Sequence, residues 1–190
     1  MKVTLNTKSK NGTKRTGAER RAAASGTGAG TATRNGNGIG RIRASLRAYA
    51  DRGVFRGLNE EKSGTGKYDF TFVWLTERPL DFHYDSARGV MRFRNLLPNV
   101  ALRSQVYDSL KVLVNERQGD DLPEHKRIDR TRAEIACSRR EGNVSIALRI
   151  KNNEYDYGVN RLINLVHELF VHLQESHFEY LAANFNISEE

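Results

Sequence analysis

From residue 68 onward, apolar positions alternate in twos, change to helical steps, and then do both again. In KYDFTFVWLTER, Phe70, Phe72 and Trp74 fall on one face of an extended strand and Val73 and Leu75 on the other. That is the pattern of a strand covered on both sides, or lying at an interface. Residues 81–97 then align without a gap on residues 134–150, placing Phe82 over Ile135, Tyr84 over Cys137, Met91 over Val144 and Phe93 over Ile146. Gly89 and Gly142 fall between the two arms of each unit, where a hairpin turn needs a positive φ. Two half-buried hairpins follow from this spacing.

After each hairpin the period lengthens. Val106, Leu110, Leu113 and Val114 are spaced for one helix face, and Leu162, Val166, Leu169 and Phe170 repeat that spacing in the second unit. An earlier helix is predicted over 41–52, because Ile42, Leu46 and Tyr49 recur at i, i+4 and i+7 and Gly53 suits its stop. Leu58 to Gly66, rich in glycine and charge, reads as a flexible loop. The expected class is α+β in the order α-βββ-α-ββ-α, with an internal ββα duplication. Its sheet is five-stranded and mainly antiparallel, and the helices pack on one face.

Over residues 39–185 that order resembles the topology of type III secretion chaperones and the related YbjN-like bacterial proteins. The resemblance lies in topology and carries no diagnostic motif. It implies a bacterial protein that binds other proteins and has no catalytic residues. Secretion chaperones are typically acidic, and this chain adds a basic tail.

Charge divides the chain where the pattern does. Residues 1–66 hold 14 Lys/Arg against four acids, whereas residues 67–190 hold 17 against 19. In residues 1–38 the only large apolar side chains before Ile39 are Val3 and Leu5, too few to offset a backbone ordering cost of about 1–2 kcal/mol per residue. The expected domains are a disordered basic tail (1–38), an amphipathic helix with a flexible loop (39–66) and an α+β domain (67–190). Lys8, Lys10, Lys14, Arg15, Arg20 and Arg21 are the candidate polyanion contacts of the tail. The tail lacks Phe, Tyr and Trp, so nucleic acid held by it alone would be bound weakly and without sequence preference. A solvated tail is the plain alternative. A transit peptide fits less well, since KVTLNTKSKNG makes no amphipathic helix.

One cysteine, Cys137, excludes an intrachain disulfide and a cysteine-based zinc cluster, which suits a reducing, cytoplasmic setting. No run reaches the ~18 apolar residues of a membrane span, and no secretory signal is visible after Met1.

Few residues read as chemistry. In HELFVH, His167 and His172 are five apart, about 140° around a helix, so they do not meet one metal as H-E-x-x-H does. Glu168, His172, Glu175 and Glu179 form a helical stripe that reads as a solvated acidic face. Cys137 reads as a buried hydrophobe rather than a nucleophile. His83 and His125 have no partner nearby in sequence, although convergence in space is open. GTGAG and GNGIG lack the strand–loop–helix setting of a phosphate loop.

The expected function is therefore a non-enzymatic, chaperone-like binding or adaptor module needing no cofactor or metal. A homodimer is expected through surplus apolar groups at Val73, Leu75, Phe178, Tyr180, Leu181 and Phe185. Alternatives are a polyanion-associated protein acting through its tail, and an enzyme whose site cannot be read from sequence.

Overall fold

The computed structural model describes residues 29–187. Along the chain run α1 (Ala29–Asp51), β1 (Arg56–Gly64), β2 (Lys67–Val73), β3 (Pro79–Asp85), β4 (Val90–Leu97), α2 (Gln105–Glu116), β5 (Ala133–Arg140), β6 (Asn143–Ile150), α3 (Tyr155–Ser176) and α4 (Phe178–Phe185). The fold is α+β, and the strands form one open sheet in the order β1-β2-β3-β4-β6-β5. Every neighbouring pair is antiparallel.

Alternation in the strands creates one apolar face. Phe70 and Phe72 of β2, Phe82 and Tyr84 of β3, Met91 and Phe93 of β4, and Val144, Ile146 and Leu148 of β6 are all buried. Their rings interlock, with Phe82 and Phe93 edge to face at 5.4 Å and Phe72 and Phe93 at 6.1 Å. Each such side chain stabilises the fold by roughly 1.5–3 kcal/mol on burial. The helices complete the core with Ile42 and Leu46, Leu110 and Leu113, and Leu162, Val166 and Leu169.

Four differences separate this architecture from the sequence expectation. First, the sheet has six strands, because residues 56–64 form β1 instead of a loop. Its side chains are almost all exposed, so no apolar alternation announces it. Backbone pairing with β2 holds it, together with a bidentate ion pair in which Arg43 of α1 donates to Glu60 at 2.5 and 2.6 Å. Second, α1 begins at Ala29, so the helix takes in residues 29–38, which the composition assigned to the disordered tail. Residues 1–28, with all six candidate tail cations, lie outside the described residues. Third, the last helix breaks at His177 (φ −144°, ψ 43°), dividing it into α3 and α4.

Fourth, the duplication is inexact. Both units are a hairpin followed by a helix, and Gly89 and Gly142 take positive φ at the turns. However, α2 has 12 residues and α3 has 22. In addition, α2 packs over β5 of the other unit, while α3 crosses β6 and carries α1 on its flank. Ser104 caps α2, its hydroxyl accepting from Tyr107 N at 3.2 Å. No helix among the described residues is long and apolar enough to cross a membrane.

Candidate binding face

With the four described helices on one side, the second face of the sheet is left open among the described residues. Period-two alternation dictates what it carries. Asp69, Thr71 and Val73 of β2, Asp81 and His83 of β3, Arg92 and Arg94 of β4, Ala147 and Arg149 of β6, and Glu134 and Ala136 of β5 all point away from the core. Registers align six of these positions in one row across the sheet: Glu61, Asp69, His83, Arg92, Ala147 and Ala136. Acids gather on β1–β3, and Arg92 of β4 and Arg149 of β6 have no side-chain partner among the described residues.

At the acidic end, three groups converge. His83 Nδ1 lies 2.5 Å from Asp69 Oδ1, and Arg94 Nη2 donates to the same oxygen at 2.7 Å. Arg94 also touches His83. Partial burial opposes ionisation of Asp69, but hydrogen bonds from His83 and Ser63 and the charge of Arg94 outweigh it. The carboxyl is held below its usual value. This cluster is an ion-pair network with its acid already satisfied, which orders the face more than it prepares a base.

At the basic end the sheet surface sinks. Val90, Arg92, Glu134, Ala136, Ala147 and Arg149 line a depression of about 310 Å³. Its floor is the cross-strand pair Ala136–Ala147, two methyl groups where neighbouring positions carry long side chains. Lys151 Nζ holds the Glu134 carboxylate at 2.7 Å, which with the charge of Arg149 keeps that carboxyl below its usual value.

The residues that sequence placed at an apolar interface do not share one surface. Leu181 and Phe185 lie inside the core, with Phe185 edge to face against Phe170 at 5.5 Å. Tyr180 is half-buried and donates from its hydroxyl to Pro98 O at 2.6 Å. Phe178 is half-buried at the start of α4. Val73 stands on the open sheet face, and Leu75 turns back onto the core with φ 66°. These six residues therefore form no continuous patch. The exposed large apolar groups, Val54, Leu102, Val112 and Val171, are scattered over helices and loops.

The histidines also separate. His167 stacks on Trp74 at 6.4 Å, and His125 is exposed on the loop before β5. His172 meets His177 edge to face at 6.0 Å, and His177 Nε2 lies 2.9 Å from Ser109 Oγ. Burial, then the charge of His172, lowers the His177 pKa. The Ser109 hydroxyl donates its proton to Val106 O at 3.0 Å, so it is already engaged within α2. Glu168 is bonded to Arg117, and Glu179 sits beyond the break at His177, so the acidic stripe is not continuous. No group of three or more His, Cys, Asp or Glu is placed to hold a metal ion among the described residues. Burial raises the Cys137 pKa against the charge of Lys111.

Sequence reasoning missed the open face because each charged residue on it, taken alone, reads as an ordinary solvated position. The signal was there in register: Arg92 and Arg94 at alternate positions of β4 must share one side, and the β4–β6 pairing puts Arg149 on that side too. Comparison with known proteins finds no matching family model, no matching curated relative and no matching solved structure.

Proposed function

We propose that the protein is a non-enzymatic binding or adaptor module that engages its partner through the open face of the sheet. The observation that carries this reading is the row Glu61–Asp69–His83–Arg92–Ala147–Ala136, a polar surface crossing all six strands and left uncovered by the four helices. A rigid sheet fixes the spacing of these charges, and such fixed patterns give partner selectivity more than raw affinity. The chaperone-like topology belongs to the same reading. Polyanion binding through the tail is the second reading, and its six candidate cations lie outside the described residues.

Site-specific photo-cross-linking in native host cells tests it. Cross-linkers at Thr71, Arg92 and Ala136 are expected to capture other chains, while those at Val112 and Val171 on the helices capture few. Capture concentrated on the helical side would overturn the proposal.

A further inference from the structure

We infer that the depression over Ala136 and Ala147 is a docking site for an acidic peptide segment of a protein partner. The inference rests on the binding-face reading above. Arg92 pairs across strands with Ala147, and Arg149 pairs with Val90, so the two arginines are diagonal neighbours on β4 and β6. Diagonal positions on a sheet are roughly 7–8 Å apart, within reach of long side chains. Each guanidinium presents a planar fork that matches a carboxylate, so the pair can hold the acids of one short segment.

Neither guanidinium has a hydrogen-bond or ion-pair partner among the described residues. The acid opposite Arg149, Glu134, accepts from Lys151 instead. Arg94, two residues along the same strand, is by contrast committed to Asp69. The fold thus neutralises one end of the row, while at the other Glu134 is offset by Lys151 and the two arginines leave a net positive charge. Like charges on neighbouring strands are destabilising, and an added anion relieves that cost. The alanine floor gives an incoming main chain room to approach the sheet, and a volume of about 310 Å³ accommodates a few residues, not a folded domain. The Phe and Tyr rings of the sheet lie on its other face. The depression therefore offers bases no large aromatic ring to stack on, which favours a peptide over a single-stranded nucleic acid.

The test is amide chemical-shift mapping on the full chain, titrated with a short alternating alanine–glutamate peptide, its lysine counterpart and a single-stranded RNA oligomer. Mapping separates the sheet from binding by the basic tail. The glutamate peptide is expected to shift Val90, Ala136 and Ala147, with affinity falling about tenfold as salt is raised. Arg92→Ala with Arg149→Ala should abolish those shifts while leaving the circular dichroism spectrum unchanged. RNA shifting the same amides more tightly than the peptide would overturn the inference in favour of nucleic acid. Shifts by the lysine peptide alone, at Asp69 and Asp81, would overturn it while leaving the open face as the binding surface. Loss of both these shifts and the cross-links from Thr71, Arg92 and Ala136 would overturn both readings.

Discussion

Gly38 of α1 lies flat against the ring of Tyr155 at the first turn of α3, so close that a Cβ there would stand 2.6 Å from the ring carbon Cζ. The glycine belongs to GNGIG, a sequence with the look of a phosphate loop. Its use is in packing, because it lets α1 descend onto α3. There Ser45 donates to Asp156 at 3.1 Å and Tyr49 to Asn160 at 2.9 Å.

Two neighbouring glycines should consequently respond with opposite signs. Gly38→Ala is expected to lose about 1–3 kcal/mol by overpacking against Tyr155. At Gly40 a Cβ meets nothing within 4 Å, so Gly40→Ala should gain up to about 1 kcal/mol from helix propensity. Denaturant unfolding of the two variants measures both. Equal effects would contradict the close approach.

Asp69 couples the open face to acidity. Its folded pKa is lowered, so the stabilisation it gives is fully present above the unfolded value near 4 and is lost as pH falls through the folded value. Asp69→Asn is expected to cost about 1–2 kcal/mol at pH 7 and progressively less as pH falls through the folded value and the wild-type carboxyl is protonated too. Urea titrations at a series of pH values from 7 downward check the trend.

His177 should give a second, milder acid limb. Its folded pKa lies below the unfolded value of about 6.5. The unfolded state therefore binds the proton more readily, and stability falls as pH drops from above 6.5 toward the folded pKa. His177→Gln should flatten the fall of melting temperature as pH drops below about 6.5, which thermal unfolding over a pH series measures.

Cys137 should be slow to modify. Burial raises its pKa and withholds the thiolate, so a thiol reagent at pH 7.5 should label the native protein at least about tenfold more slowly than the protein in denaturant. Equal rates would mean that α2 does not cover β5 as described.

What the sequence disclosed and what it withheld divide along the source of stability. Strands β2 to β6 were legible because Phe72, Phe82, Phe93 and Ile146 sit in a core that demands alternation. The hairpin turns were legible because positive φ at Gly89 and Gly142 has few other solutions. Strand β1 was hidden because its hold is chiefly main-chain pairing and polar contacts such as Arg43–Glu60 and Arg56–Glu77, which leave no apolar rhythm. The break before α4 was hidden because Leu173 and Leu181 keep helical spacing across it. The candidate site was hidden for a further reason. Arg92 and Arg149 are distant in the chain, and only the β4–β6 register brings them together.

The residues that concealed β1 have another effect. A terminal strand presents an unpaired row of amides and carbonyls to which any extended chain can add, and stacks of that kind grow into fibrils. Here the strand carries Glu60, Glu61 and Lys62 in succession, and its ladder slips between Arg56 and Asn59 and again between Lys62 and Gly64. At the far end of the sheet β5 closes on Arg139 and Arg140. Charge and irregular register make both margins poor templates, so a concentrated solution of this protein should resist seeding by its own sheet edges.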